Sequence, residues 1–354
     1  MKEVRTAVIG AGYIASRFHI PILRDCKDVQ LVAICDTNSQ AAQSASMKFG
    51  IPHVYTSIDE MLAREDLNLV DVLTPPQTHA SVCEKVLNSH INCLVEKPLT
   101  TSLDDADNLI HLANQLGLKL CVIHNYSYVP AFIRARKIVD SGDIGMVLNV
   151  DGFYSMPHED GFRRPDHWVH GLPGDVLGEV APHFTMLVLD YLNAVKEVKA
   201  TLVKRGTEPH IKYDEMKMIL VAENAVGSIT VLLGPGGETR RAYLNITGTQ
   251  GSIYADGESQ ALVKYGTLSE GWSATERGKR ALSDIAQRVT SLVSTTVNTI
   301  TGRYEMAKYG HRFLIESCVK SLLTGASYPV SLEKCREEVR ILEQAFSQDR
   351  KVRS

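Results

Sequence analysis

Two hydrophobic patterns follow one another along the chain. In the first, short unbroken apolar runs alternate with helical spacing. Thr6–Ile9, Leu31–Cys35, Leu69–Leu73, Cys93–Val95 and Lys119–Ile123 have strand length and are rich in Val, Ile, Leu and Cys. Unbroken runs of this kind suit strands covered on both faces, as in a parallel sheet. Between them lie helical stretches at Ser39–Phe49, His79–Ser89 and Ser102–Gly117. The last opens on a serine cap followed by Asp104 and Asp105 and closes on Gly117. Strand–helix alternation predicts a doubly wound α/β domain with right-handed crossovers over residues 1–124.

The second pattern is strand-rich. Met146–Tyr154, Glu197–Arg205, Met216–Glu223, Val226–Leu233, Arg241–Thr247 and Gly251–Tyr254 read as β segments with few helices between them. Several alternate apolar with polar residues, which predicts an open-faced, mainly antiparallel sheet with one face packed. The fold class is therefore α/β plus α+β, with a second domain over residues 125–354 that ends in C-terminal helices. One later stretch stands apart, with an amphipathic spacing of Leu282, Ile285, Ala286, Val289, Leu292, Val293, Thr296, Val297 and Ile300 and with Lys279, Arg280 and Arg288 nearby. A membrane-surface helix has this look. Amphipathic helices more often face protein, so the expectation is a helix that covers the sheet or an oligomer interface.

Composition narrows the class of protein. The chain has 354 residues, 44% hydrophobic and 22% charged, an ordinary globular balance that argues against disorder. Lys plus Arg is 38 and Asp plus Glu is 41, a net charge of −3, so nothing favours a phosphate backbone and no nucleic-acid partner is expected. No apolar run approaches the ~18 residues a membrane span requires, and the first residues enter a strand without a leader pattern. Seven cysteines are scattered without a Cys-x-x-Cys pair. They read as reduced core thiols, and a cytoplasmic location is expected.

Directly after the first strand comes Gly10-Ala-Gly12-Tyr13-Ile14-Ala15, a G-x-G-x-x-A sequence opening a helix. Gly10 permits a tight turn, Gly12 lets a pyrophosphate approach the backbone, and Ala15 keeps helix and sheet close. The helix start offers unpaired N–H groups to the phosphates. The second strand ends at Asp36, where a carboxylate can bind both ribose hydroxyls of NAD and would repel the 2′-phosphate of NADP. NAD is thus expected as cofactor, with NADP disfavoured, in a Rossmann domain.

After the fourth of these strands stands Glu96-Lys97-Pro98. A lysine at the carboxyl end of a parallel strand sits where open α/β sheets bind ligands, and the proline fixes the backbone beside it. Such a lysine can exchange a proton with a hydroxyl or carbonyl. The fingerprint, Thr74-Pro75-Pro-Gln-Thr-His79, Glu96-Lys97-Pro98, Asn125 with Pro130, Gly248-Thr-Gln-Gly251 and the segment His311–Gln344 with Pro329-Val-Ser331 together resemble the glucose–fructose oxidoreductase and inositol dehydrogenase family. The resemblance covers nearly the whole chain. It implies NAD(P)-linked redox on a small sugar-like molecule and homodimers or homotetramers through the open sheet. It also implies that Thr74, Pro75, His79, Glu96, Lys97 and Asn125 lie near the cofactor, with Lys97 as acid/base.

A further motif is partly kept in Glu179-Val-Ala181-Pro-His183-Phe-Thr-Met186, where relatives commonly carry Asp at the position of Met186. Asn125 is likewise followed by Tyr126-Ser127 where many relatives have arginines. His183 suits proton transfer near neutrality and is the second candidate catalytic residue. Trp168, His167, Glu179 and His183 are the candidate substrate residues, with Trp168 able to stack on a sugar ring in a substrate-lining loop. A metal held by His167, His170, Glu179 and His183 is the competing reading; their spacing lacks the regularity of compact zinc sites, and no metal is expected. Two functions follow. One is an NAD-dependent oxidoreductase acting on a secondary alcohol of a sugar, polyol or nucleotide sugar; the other is a catalytically inert NAD-binding sensor on the same fold.

Overall fold

A computed structural model describes residues 3–159, 161–234, 239–266, 274–300 and 306–348. The apolar runs of the first pattern become parallel strands: β1 (Val4–Ile9), β2 (Val29–Cys35), β3 (His53–Tyr55), β4 (Leu69–Val72), β5 (Asn92–Glu96) and β6 (Leu120–Ile123). Their order is β3-β2-β1-β4-β5-β6, which puts the topological switch between β1 and β4. The crossovers carry α1 (Ile20–Asp25), α2 (Ser39–Phe49), α3 (Ile58–Arg64), α4 (His79–Asn88) and α5 (Leu103–Leu116). Every residue of β4 and β6 is buried, as strands covered on both faces require. Ser102 caps α5 by accepting from Asp105 N, and Gly117 ends it in the left-handed conformation. The short edge strand β3 has only three residues, two of them exposed, and left too little apolar signal to be read from the sequence.

The second pattern becomes a seven-stranded sheet. After α6 (Pro130–Asp140) come β7 (Val147–Met156), α7 (Val176–Leu189), β8 (Val195–Val203), β9 (Glu215–Ala222), β10 (Val226–Leu233), β11 (Arg241–Gly248), β12 (Gly251–Asp256) and β13 (Leu262–Gly266). The order is β13-β12-β11-β7-β10-β9-β8, antiparallel throughout except for the parallel pair β7–β10. Buried positions alternate along β10 and β11, so one face is packed and the other is open. The packed face receives α7. A Cβ on Gly227 would come 2.7 Å from Val188 Cγ1 and 2.9 Å from Leu192 Cδ1, so the helix sits closer to β10 than a side chain there would allow. Residues 176–189 therefore form a buried helix, not the substrate-lining loop expected from their polar neighbours.

Three helices close the chain: α8 (Ala274–Ile300), α9 (Met306–Thr324) and α10 (Leu332–Gln348). The molecule divides into two compact units, residues 1–125 with 310–343 and residues 126–309 with 344–354. Most of the last two helices thus groups with the parallel sheet, where the sequence reading assigned everything after residue 124 to the second domain. The cause is apolar burial beside the outermost strand. Leu314, Ile315 and Cys318 of α9 and Val339 and Ile341 of α10 are buried. Polar ties add to this: the Tyr328 hydroxyl donates to Val122 O on β6 (2.9 Å), and Arg336 Nη2 donates to Asp107 Oδ2 on α5 (2.8 Å). All seven cysteines are free thiols and six are buried, consistent with small core residues.

Candidate functional site

The fingerprint turn follows β1 at the carboxyl end of the parallel sheet. Gly10 has φ +101°, and a Cβ there would lie 2.6 Å from Leu73 O, so only glycine fits between β1 and the loop after β4. A Cβ on Gly12 would meet nothing within 4 Å. That open space, directly at the start of the helix, is where a phosphate group can approach the backbone. Tyr13 is exposed and Ile14 half-buried beside it. The Asp36 carboxylate at the end of β2 accepts from Ala11 N and Asn38 N, both at 2.7 Å, and so ties the second strand to the turn. Gly10, Gly12 and Asp36 fit a dinucleotide.

The loop after β4 is braced by His79. Its Nδ1 lies 2.8 Å from Pro98 O and its Nε2 2.9 Å from Thr74 O, both main-chain carbonyls. Burial pushes its pKa down, against the pull of the two carbonyls. His79 therefore links the loops after β4 and β5 from inside, while Thr74 and Pro75 are half-buried above it.

Around Glu96 lies a buried polar network that the sequence reading missed. His19 ends a π-type turn, Ala15–His19, in the fingerprint helix and is wholly buried. Its Nδ1 is 2.7 Å from Asp71 Oδ2 and its Nε2 2.9 Å from Glu96 Oε1. Burial alone would lower the pKa of His19, but Asp71 and Glu96 outweigh it and raise the value to about 10. The ring is thus an imidazolium donating to both carboxylates. Burial would also raise the Glu96 carboxyl; hydrogen bonds from His19 and His311 hold it well below the usual range. His311 Nε2 is 3.0 Å from the same Glu96 oxygen, and Asn125 Nδ2 donates to His311 Nδ1 at 3.4 Å. The other Glu96 oxygen accepts from Lys97 N at 3.1 Å, fixing the main chain at the lysine. Lys97 itself is only 5% exposed.

Two more buried groups face this region. Burial pushes His124 down to about 3, so its ring is neutral at pH 7, and burial also holds Glu338 well above the usual carboxyl range. Their nearest atoms are 3.5 Å apart. One signal for the network was available: Asp71 interrupts the otherwise apolar run Leu69–Leu73. Its partners come from other elements and left no local pattern. Among the described residues, the ligand atoms close enough together for a metal ion are those of His19, Glu96 and His311, where both ring nitrogens lie within hydrogen-bond distance of the same Glu96 oxygen.

In the second unit the candidates sit on α7. Of its fourteen residues, twelve are buried, and the two that are not are Glu179 and His183. They are one turn apart and share a face. The rings of His183 and Tyr126 lie 4.3 Å apart, and the Tyr126 hydroxyl is 3.4 Å from that of Tyr154. Arg240, ahead of β11, hydrogen-bonds Tyr126 and pairs with Glu258 at 3.0 Å. A guanidinium thus reaches the residue after Asn125 from a segment distant in the chain. Met186 is buried among apolar residues of the sheet-facing helix, so the carboxylate that relatives place there has no counterpart. His167 and Trp168 form their own ring pair at 5.1 Å, with Trp168 38% exposed. His170, weighed as a metal ligand, is instead held by Asp175 at 2.6 Å.

Comparison with known proteins agrees with this architecture. Residues 4–124 match the family described as an oxidoreductase family with an NAD-binding Rossmann fold, and residues 132–254 match the C-terminal domain of the same family. D-apiose dehydrogenase from Paraburkholderia graminis is 30% identical over 145 residues, 41% of this chain and 38% of that one. A dTDP-3,4-didehydro-2,6-dideoxy-alpha-D-glucose 3-reductase from Streptomyces violaceoruber is 29% identical over 157 residues, 44% of this chain and 46% of that one. The matches span less than half the length of these curated relatives. The fold also matches the WlbA dehydrogenase from Bordetella pertussis, solved with NADH and UDP-GlcNAcA, at a TM-score of 0.80 and 17% identity over 99% of this chain and 97% of that one. With both family domains present in order on the two sheets, the chain belongs to the Gfo/Idh/MocA oxidoreductases and carries their NAD-binding Rossmann domain.

Proposed function

We propose that the protein is an NAD-dependent dehydrogenase or reductase acting on a secondary alcohol or ketone of a sugar, polyol or nucleotide sugar. The observation that carries this reading is Lys97, buried at the carboxyl end of β5 with its main chain anchored on Glu96. Relatives named for D-apiose and for a dTDP-linked glucose derivative support the substrate class.

Gly10, Gly12, Tyr13, Ile14, Asp36, Thr74, Pro75 and Asn125 would hold the dinucleotide, with the helix start at its phosphates and Asp36 at its ribose. NAD, when bound, supplies the hydride-exchanging nicotinamide. Lys97 Nζ takes the hydroxyl proton when the alcohol is oxidised and returns it in the reverse direction. His183 binds the substrate oxygen, and Glu179, one turn away on the same open face, binds a neighbouring hydroxyl. Trp168 and His167 supply an exposed ring surface for the sugar. Glu96, through His19 and His311, positions Lys97 rather than touching substrate. The open sheet face, with Phe153 and Tyr243 stacked at 4.9 Å, supports a homodimer or homotetramer.

Absorbance at the reduced-nicotinamide band across a panel of sugars, polyols and nucleotide sugars tests the reading. Turnover of at least one is expected, and Lys97→Ala should lower it by about 10²-fold with the cofactor still bound. Near-normal turnover in that variant would remove Lys97 from the mechanism. Tight NAD binding with no turnover of any compound would favour the inert sensor instead, a reading that Met186 motivates. NADH should bind more tightly than NADPH, since Asp36 repels a 2′-phosphate.

A further inference from the structure

The long helix α8 is attached to its own unit by its polar side. Gln287 Oε1 accepts from Lys264 N at 2.9 Å and its Nε2 donates to Lys264 O at 3.3 Å, closing both main-chain groups of one residue on the edge strand β13. The Tyr265 hydroxyl is 3.3 Å from Asp284 Oδ1, and the Arg288 guanidinium lies over the Tyr254 ring at 5.4 Å. The apolar side is turned away. Leu282, Ile285, Val289, Leu292 and Val293 are 69%, 58%, 52%, 61% and 57% exposed. The orientation is the reverse of a helix that covers its own sheet, which is one of the two roles expected from the sequence.

At 3.6 residues per turn these five positions fall within an arc of about 100°. A paired coiled coil requires a 3.5-residue repeat. Continued from Leu282, Ile285, Val289 and Leu292, that repeat falls next on Thr296 and Thr299, both polar. The apolar positions step instead through Val293 to Val297 and Ile300, the spacing of a straight stripe along one side of a helix. A straight stripe matches a flat apolar surface. Charge identifies which one. The start of the helix, 276–280, holds Arg277, Lys279 and Arg280 against Glu276 alone, a local excess of cations in a chain whose net charge is −3. None of the described helices is long and apolar enough to cross a membrane.

We propose that α8 is an interfacial helix that docks the protein on an anionic membrane surface, with the Leu282–Val293 side in the acyl boundary and the basic end against lipid headgroups. The full chain is to be sedimented with vesicles of phosphatidylcholine and with vesicles of equimolar phosphatidylcholine and phosphatidylglycerol. Binding to the anionic vesicles should exceed binding to the neutral ones by about tenfold and weaken with salt. The triple variant Leu282→Ser, Ile285→Ser, Val289→Ser should lose it by a similar factor, and Lys279→Glu should weaken only the anionic binding. An unchanged thermal midpoint in both variants shows that the fold is intact. Absence of binding to anionic vesicles, or equal binding by the triple variant, would overturn the proposal. A dimer of the wild type in analytical ultracentrifugation that the triple variant dissolves, without vesicle binding, would make a second copy the occupant.

Discussion

The two sheets hide their polar chemistry in opposite ways. In the parallel sheet the strands are covered on both faces, and the polar groups beside them are sealed inside and paired with one another: Asp71 with His19, and His19 and His311 with Glu96. In the antiparallel sheet only one face is packed, and the helix that packs it leaves two positions half-buried, Glu179 and His183. A sealed network fixes a main chain and a charge state, since every partner is desolvated and none can move alone. A half-buried pair on a helix keeps part of its surface in contact with solvent. The first arrangement suits positioning, and the second suits recognition.

Breaking the sealed network should have the largest effect. Glu96→Ala leaves His19 and His311 without their shared acceptor and should lower stability by about 3–5 kcal/mol, read by urea unfolding. Glu179→Ala, in the half-buried pair, should change it by less than about 1 kcal/mol. If the two variants unfold alike, the contrast fails. Gly227→Val comes next. It drives a side chain into Val188 and Leu192 at the packed face, with a loss of about 1–3 kcal/mol in the same measurement.

The pH dependence sharpens the contrast further. His19 has a folded value of about 10, above its unfolded value, so its stabilisation is complete below about 6.5 and is lost as pH rises through about 10. Glu96 is shifted the opposite way: its contribution is present above the unfolded carboxyl range and lost as pH falls through its depressed folded value. Unfolding midpoints should therefore decline on the alkaline side, and His19→Gln should flatten that decline while starting from a lower plateau. The smallest effect belongs to the outward side of α8. Because its apolar residues are already exposed, Leu282→Ser, Ile285→Ser and Val289→Ser should each change the unfolding free energy by no more than about 0.5 kcal/mol. A larger loss would mean that this face is packed against the chain itself.

Much of the architecture was legible because hydrophobic pattern is a local property. Unbroken runs marked β1, β2, β4, β5 and β6 to within two residues, and alternation marked β9, β10 and β11. The helix α7 escaped because it is apolar almost all round and carries Pro182 inside, so it has no amphipathic stripe to read. The polar residues ahead of it suggested a loop. At the candidate site, Gly10, Gly12, Asp36 and Lys97 were legible from their places after strands. His19, Asp71 and His311 were not, since 52 and 215 positions separate the partners in two of their hydrogen bonds. Arg240 was missed for the same reason: it reaches Tyr126 from just ahead of β11, more than a hundred residues later in the chain.

The sequence by itself determined the order of the two sheets, the dinucleotide turn of an NAD-binding Rossmann domain, and the lysine after the fourth read strand. Each of these follows from residues close together in the chain, where sterics and periodicity act. Tertiary structure alone decided which polar residues were buried together, which two positions on α7 stayed half-buried, and which side of α8 faced outward. Those outcomes depend on what packs against each element, and burial is a property of neighbours distant in sequence.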